Sequence, residues 1–467
     1  MKASGTAVAA TFGFQYVPSN VWGANSKPAL AGIGAGGKGR ADLMGSDKAG
    51  FQVVALADVA NARRMSDSDT KKNRKLKSVA DVRDRFSGTE FYTDYRELIA
   101  DMGDKIDAVT VSTPDHHHFH ASALAMKAGK HVYCQKPLTH GIWEARKLTE
   151  IAAATGVKTQ MGNQAHANSH MRRCIELIRA GIIGEVSEIH SWTNRPVWPQ
   201  GFQKAPEKQE VPEWLDWEQW CGPAPFVDYN SVIAPFAWRG WWNYGTGALG
   251  DMACHIMDMG YWALMPGAPR TVQAEENGAS ELSPPINSKI TWEFGPSKHT
   301  TKKGFKYHWY DGYTKAHFDR EKWTLVKESN EYNHPGRDVL EDQSFQDFGS
   351  VIIGSEGKMF FHRAKNNWVV KPNNRREMFE PKESIPRATN DDNYQEWIDS
   401  VIGNVKRGQS DFSHSGPFTE VVLLGVLAQR NPNQKLRWNS KKMEVKGRPE
   451  LKQLIQRPYR KGWEIDV

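Results

Sequence analysis

Three residues in this sequence have the types and surroundings to act on a substrate. Lys136 closes the run His131-Val-Tyr-Cys-Gln-Lys-Pro-Leu138, an apolar β-type stretch that stops at a lysine set against a proline. Strands of parallel sheets end this way at the open rim where ligands bind, so Lys136 is expected at that rim. The plain alternative is a surface lysine at a strand end. The Lys136-Pro137 bond is expected to be cis, a tight turn that aims a side chain off the strand. Farther along, Gly245-Thr-Gly-Ala-Leu-Gly-Asp-Met-Ala-Cys-His-Ile-Met-Asp258 leads from glycines into a helical stretch. Asp251 and His255 are four apart there and share a face, with Asp258 three beyond His255. A carboxylate beside an imidazole holds a general base near neutral pH, although the pair serves equally well as a structural helix contact.

A second group of residues fits a nucleotide. Pro28 to Ile33 reads as a strand, followed by Gly34-Ala-Gly-Gly-Lys-Gly39 and a helix from Arg40. Two overlapping Gly-x-Gly-x-x-Gly frames are present, Gly32/Gly34/Gly37 and Gly34/Gly36/Gly39, and the second begins where the strand ends. Glycines, Gly37 included, let the backbone approach a pyrophosphate closely and aim helix N-terminal amides at it. A second strand, Phe51 to Ala57, is closed by Asp58, 24 residues past Gly34 and close to the offset at which an acid binds a ribose diol. An acid there repels a 2′-phosphate and favours NAD over NADP, a preference softened by the nearby Arg63 and Arg64.

The elements that must position these groups alternate. Tyr95 to Met102 reads as a helix, Ile106 to Ser112 as a buried strand, Trp143 to Ala154 as a helix and Lys158 to Met161 as a strand ending in Gly162-Asn-Gln164. Such alternation gives a doubly wound parallel sheet. Between these elements lies Thr113-Pro-Asp-His-His-His-Phe-His120, whose four histidines invite a zinc reading. Adjacent side chains diverge and no thiolate or acid stands at ligand spacing, so no metal is expected; the run reads instead as a loop at the sheet rim that opens the helix through Met126. The alternation stops near residue 185. Beyond it come strand-like segments at Val186 to Thr193, Lys289 to Phe294 and Val351 to Phe361, and helices at Asn393 to Val401 and Pro417 to Gln429. Eight of the 18 tryptophans fall between Trp192 and Trp242. One or two of these, Trp238 among them, are expected to touch ligand and the rest to be core.

The chain of 467 residues, with a net charge of +7, has its cations scattered, and the densest run, Lys71-Lys-Asn-Arg-Lys-Leu-Lys77, reads as a solvated helix face. No nucleic-acid partner and no membrane span are expected. Cys134, Cys174, Cys221 and Cys254 show no disulfide or zinc spacing. Ala3 to Phe14, followed by Val17-Pro-Ser-Asn-Val-Trp-Gly-Ala-Asn25, resembles the tail of a twin-arginine export signal without its Arg-Arg pair. Export to the periplasm is therefore one expectation, and a plain N-terminal arm on a cytoplasmic protein the other.

Gly34-x-Gly36-x-x-Gly39, Asp58, Thr113-Pro-Asp-x-x-His118, Gln135-Lys-Pro137 and Asp251-x-x-x-His255 together resemble the Gfo/Idh/MocA oxidoreductases, from about Pro28 to the C-terminus. Residues 1–26 are expected to be an arm or the remnant of an export signal, and the resemblance implies a Rossmann domain over 27–165 and, over 166–467, an α+β domain with an open, mostly antiparallel sheet and C-terminal helices packing back toward the first domain. It implies Lys136, Asp251 and His255 as the reacting groups. It also implies cofactor contacts from Gly34, Gly36, Gly37, Gly39, Asp58, Thr113, Pro114, His118, Gln135, Lys136 and Asn163. Trp238 and Tyr244 are expected to join Lys136, Asp251 and His255 against substrate. Two residues depart from the family pattern. Gln135 replaces a glutamate and removes a counter-ion that would hold the Lys136 pKa up, and Asp115 replaces an asparagine.

The expected activity is NAD-dependent hydride transfer to or from a sugar, sugar derivative or cyclitol hydroxyl, in a homo-oligomer, dimer or tetramer. A redox-neutral NAD-requiring glycosidase is the alternative, using oxidation, elimination and re-reduction at the same residues. A non-catalytic NAD-binding regulator is a third reading, although a mere binder has no need of all three reacting groups. Specificity is expected to sit in Pro196 to Trp238 and Lys298 to Gln346.

Overall fold

A computed structural model of the chain describes residues 27–341, 347–362 and 367–467. The export-signal reading, the 1–26 arm and residues 342–346 of the second specificity segment lie outside the described residues.

The first half runs β1 (Ala29–Ile33), α1 (Lys38–Ala49), β2 (Gln52–Ala57), α2 (Asp67–Lys72), α3 (Arg74–Arg85), β3 (Glu90–Tyr92), α4 (Tyr95–Met102), β4 (Ala108–Val111), α5 (His118–Lys127), β5 (His131–Cys134), α6 (Ile142–Thr155) and β6 (Thr159–Met161). Its six described strands pair in parallel in the order β3-β2-β1-β4-β5-β6. Ala-Val-Thr-Val of β4 is buried at every residue, because helices cover both faces of the sheet. The strand order reverses between β1 and β4, and there the C-terminal strand ends open onto a crevice.

The chain continues with α7 (Ser169–Arg179), β7 (Val186–Thr193), α8 (Trp217–Cys221), α9 (Gly247–Ile256), α10 (Asp258–Leu264), β8 (Thr271–Asn277), β9 (Asn287–Phe294), β10 (Phe305–Gly312) and the small hairpin β11 (Ala316–Asp319) and β12 (Thr324–Lys327). Then come α11 (Arg337–Leu340), β13 (Phe348–Gly354), β14 (Gly357–His362), β15 (Asn367–Lys371), α12 (Asn393–Val401), α13 (Phe412–Gln429), β16 (Leu436–Asn439), β17 (Glu444–Val445) and α14 (Lys452–Ile455). Among the described residues nine strands form a second sheet, β15-β14-β13-β7-β10-β9-β8-β16-β17, antiparallel except where β7 meets β10. Helices α9, α10 and α13 cover one face: Trp292 Nε1 donates to Val421 O at 3.0 Å and the Tyr307 hydroxyl to Met257 O at 3.2 Å. Because α13 also packs on α6, it joins the cores of the two sheets.

Two elements differ from the sequence reading. Val351 to Phe361 is not one strand but the hairpin of β13 and β14, which turns at Ser355-Glu356 between the paired Gly354 and Gly357. Helix α13 starts five residues before Pro417, because the Asp411 side chain caps it by accepting from Ser413 N at 3.1 Å.

Between β7 and α9 the chain leaves the second sheet and crosses to the first. Asn61 N donates to Trp214 O at 2.8 Å, Asp216 N to Val59 O at 3.0 Å, and Ala60 bridges Leu215. The C-terminal segment also returns to the first half, where His120 Nε2 bonds Trp463 O at 2.9 Å and the Arg96 guanidinium stacks on Trp463. No helix among the described residues is long and apolar enough to cross a membrane. All four cysteines are buried and unpaired.

Candidate active site

The parallel register of β4 and β5, in which Val111 faces Cys134 and Gln135 N donates to Val111 O, carries Lys136 to the sheet rim. Its bond to Pro137 is cis, as expected. Lys136 Nζ donates to Asp251 Oδ1 at 2.6 Å and to the Asp251 carbonyl at 2.9 Å, so the first half of the chain hands its lysine directly to α9. Asp251 and His255 lie one turn apart on α9 and line the same cavity as Lys136. Arg239 closes the group, with its Nε 3.4 Å from Asp251 Oδ1 and its Nη1 donating to Asp115 at 2.9 and 3.2 Å. Thr246 Oγ1 donates to Asp115 at 2.8 Å.

Burial works to lift the Asp251 carboxyl, but Lys136 and Arg239 outweigh it and hold that pKa below the usual carboxylate range. Burial, helped by Arg239, lowers the Lys136 amine. The buried Lys136–Asp251 pair is therefore poised to release or accept a proton more readily than an exposed lysine.

The cavity, about 490 Å³, extends from these residues to the glycine-rich loop. Gly34 turns at φ +85°, and a Cβ on Gly39 would stand 1.9 Å from Gly34 O, so both positions require glycine. Asp58 Oδ2 accepts from Ala35 N and Gly36 N at 2.7 and 3.2 Å, and Oδ1 accepts from Ala60 N at 2.9 Å. Burial raises the Asp58 pKa against these amide bonds. Trp198, Trp214, Trp220 and Trp238 all line the cavity, more of the aromatic cluster than expected, while Trp192, Trp217, Trp241 and Trp242 are buried in the core.

Of the residues expected at the site, Lys136, Asp251, His255, Gly34, Gly36, Gly37, Asp58, Thr113, Pro114, Gln135 and Trp238 all line this cavity. Four others do not line it. Gly39 packs α1 against the end of β1. His118 is buried with Nδ1 on Pro137 O at 2.7 Å and Nε2 on Thr113 O at 3.0 Å, so it braces the two rim turns from behind. Asn163 is turned inward, donating to Asp258 Oδ2 at 2.8 Å and accepting from Ser410 Oγ at 2.5 Å, and its neighbour Gln164 lines the cavity in its place. Tyr244 is fully buried beneath His116 and Trp220.

Other expectations change as well. Gln135 does not leave Lys136 without a counter-ion, because Asp251 supplies one, and the Gln135 amide donates to the buried Asp42 at 3.0 Å. The basic run at 71–77 is not wholly solvated, since Lys75 and Leu76 line the cavity. The histidine run pins the rim: His116 Nε2 and His117 Nε2 each bond Trp220 O at 2.9 Å. Among the described residues, His166, Asp258 and His414 do converge, but each ring bonds a different oxygen of the Asp258 carboxylate, at 2.7 and 2.9 Å. Sequence reasoning missed Arg239 and Lys75. Arg239 follows the flagged Trp238 directly, whereas nothing local marks Lys75.

A family profile described as an oxidoreductase family NAD-binding Rossmann fold matches residues 27–163, and the corresponding C-terminal alpha/beta domain profile matches residues 170–279. The chain is 32% identical over 144 residues to the D-xylose 1-dehydrogenase (NADP(+)) of Hypocrea jecorina, a match covering 31% of this chain and 34% of that one. To the inositol 2-dehydrogenase of Salmonella paratyphi B it is 24% identical, over 35% of this chain and 44% of that one. The chain spans about a third of the length of the first curated relatives it matches. A solved levoglucosan dehydrogenase complex with NADH and levoglucosan superposes over 88% of this chain and 99% of its own, at TM-score 0.54 and 15% identity, a likeness of fold.

Proposed function

Because the chain belongs to the Gfo/Idh/MocA family of oxidoreductases, we propose that it moves hydride between a hydroxyl-bearing carbon of a sugar, sugar derivative or cyclitol and a nicotinamide dinucleotide. The observation that carries this reading is the Lys136–Asp251 ion pair at 2.6 Å, set with His255 on the wall of a cavity that continues to the glycine-rich loop. The residues present fit a dinucleotide: the glycines leave a bare backbone cradle, and Asp58 Oδ1, with one amide bond, keeps an acceptor position for a ribose hydroxyl. Asp58 supports NAD over NADP, and Arg63 and Arg64 stay exposed and off the cavity wall.

A nicotinamide dinucleotide held by the glycine-rich loop and Asp58 would supply the hydride acceptor at the Lys136 end of the cavity. His255 removes the proton of the substrate hydroxyl, and Lys136 donates a hydrogen bond and positive charge to the developing oxyanion. Asp251 holds Lys136 in place and Arg239 holds Asp251. Trp198 and Trp238 offer faces to sugar C–H groups. Lys136→Ala should leave NAD binding within about threefold and cut turnover at least about a hundredfold. NADH absorbance against a sugar and cyclitol panel reads the turnover, and undiminished turnover in the variant would overturn the assignment.

The redox-neutral glycosidase reading draws on one observation, the segment around Trp214 and Leu215 that closes over the Asp58 end of the cavity and favours a retained cofactor. Cleavage of aryl glycosides by protein carrying bound NAD, with no NADH released, would select it.

A further inference from the structure

Three amides that a glycine-rich loop ordinarily turns toward a diphosphate are engaged inside this protein. Ala35 N and Gly36 N donate to Asp58, and Gly37 N donates to Ser78 Oγ at 2.6 Å. The end of α1 still offers its partial positive charge. Two phosphate charges at this point nevertheless call for a fuller counter-charge than a helix end supplies.

Helix α3, inserted between β2 and β3, lies over the loop and carries a cation to it. Val79 on this helix would stand 2.7 Å from a Cβ on Gly36. Lys75 is fixed at the helix start, where Asn73 Oδ1 accepts from Lys75 N at 2.9 Å. Ser78 Oγ donates to Lys75 O at 2.5 Å, so one hydroxyl ties the Gly37 amide to the Lys75 backbone. Lys75 Nζ lies 3.0 Å from the place a Gly37 Cβ would occupy, on the wall of the cavity that holds Lys136 and Asp251. The charges that reach it are those of Arg74 and Arg239, both of its own sign. It is a half-buried ammonium group on a wall shared with Asp58 and Arg239, and the described residues provide it with no carboxylate partner. Holding a cation in such a place is unfavourable until an anion arrives.

We propose that Lys75 is the residue that recognises the diphosphate of the dinucleotide, closing over it from α3 and standing in for the loop amides turned inward. The proposal rests on the dinucleotide reading above but not on the identity of the substrate. Binding of ADP-ribose, NAD, NADP and adenosine to the wild-type chain, Lys75→Met and Lys75→Arg, followed by calorimetry or tryptophan quenching, tests it without turnover. Lys75→Met keeps the aliphatic stem and should weaken ADP-ribose and NAD about ten- to a hundredfold. Adenosine should bind as before, and Lys75→Arg should retain most of the affinity. ADP-ribose binding within about twofold of wild type in Lys75→Met would overturn the proposal. A loss confined to NADP would also overturn it, assigning the charge to a 2′-phosphate instead. A wild-type chain that binds neither NAD nor ADP-ribose would remove the dinucleotide reading and this proposal with it, whereas a wild-type chain that binds both but oxidises nothing leaves this proposal standing.

Discussion

Gln135 shows how one substitution in a motif is answered elsewhere in the structure. Its amide nitrogen donates to both oxygens of Asp42, at 3.1 and 3.0 Å. The fully buried Asp42 also receives Lys38 Nζ at 2.8 Å, Ser112 Oγ at 2.7 Å and the Tyr394 hydroxyl at 2.8 Å. The acid missing from the strand end thus stands on α1, 93 residues away in sequence. Restoring a glutamate is therefore expected to harm this protein. Gln135→Glu would set two carboxylates within hydrogen-bond distance in a buried site, where only one can ionise readily. The shared proton gives the pair a folded-state pKa above the unfolded value, so the penalty is full at high pH and relaxes as pH falls toward that raised pKa. Relative to wild type, we expect a loss of about 2–4 kcal/mol at pH 8 and clearly less at pH 5.5, read from urea midpoints. An equal penalty at both pH values would mean that the introduced carboxylate turns away from Asp42.

At the scale of elements, sequence legibility follows the range of the forces involved. Helices α4 and α12 and strand β7 have the limits read from the sequence, the helices because a buried face decides each of them and β7 because it is buried along most of its length. The β13–β14 turn was missed in the sequence reading, although Gly354 and Gly357 flank it. Lys136, Asp251 and His255 were legible because each sits in a local pattern. The partnerships of Arg239 with Asp115, 124 residues apart, and of Gln135 with Asp42 depend on tertiary packing that no window of sequence contains. The crossing segment is the largest such case. Its Trp214 and Leu215, each less than a tenth exposed, cover the cavity beside Val59 and Ala60 and are held there by backbone bonds to Asn61 and Val59. Exit of a dinucleotide past this segment would require these contacts to loosen. Leu215→Ala removes apolar contact worth about 2 kcal/mol, so nucleotide release should accelerate roughly tenfold or more. Stopped-flow tryptophan fluorescence during displacement of NAD by excess ADP-ribose gives that rate, and an unchanged rate would remove the segment from the exit path.

Taken whole, the molecule buries a set of histidines as neutral rings, and this makes its stability sensitive to acid well above the carboxylate range. Burial lowers the pKa of His117 to about 4, of His131, His190 and His308 to about 4 each, and of His120 to about 3. His116 and His140 are pushed well below the ordinary value by burial and by His117 and Arg457 respectively. An unfolded histidine takes its proton near pH 6.5, and these rings resist it until far lower, so below that pH the unfolded chain binds more protons than the folded one. Each such group lowers unfolding free energy by about 1.4 kcal/mol per pH unit between the two values. Asp311, raised to about 6 by burial, acts in the opposite direction, since its folded form takes a proton first and gains stability as pH falls. Burial also raises Asp58, Asp107, Glu144 and Glu420, which act as Asp311 does, and the more numerous depressed imidazoles outweigh these carboxyls. Asp251 and Asp258, both held low by basic neighbours, withdraw their contribution only in the carboxylate range beneath. Urea unfolding should therefore lose at least about 3 kcal/mol between pH 7.5 and pH 5.5, with the decline starting near pH 6.5. Replacing His120, whose ring meets Trp463 and Tyr459 at the docked C-terminal segment, with Gln should flatten the slope by about one group's share. A wild-type stability that stays level down to pH 5 would show that these rings gain their protons within the folded chain.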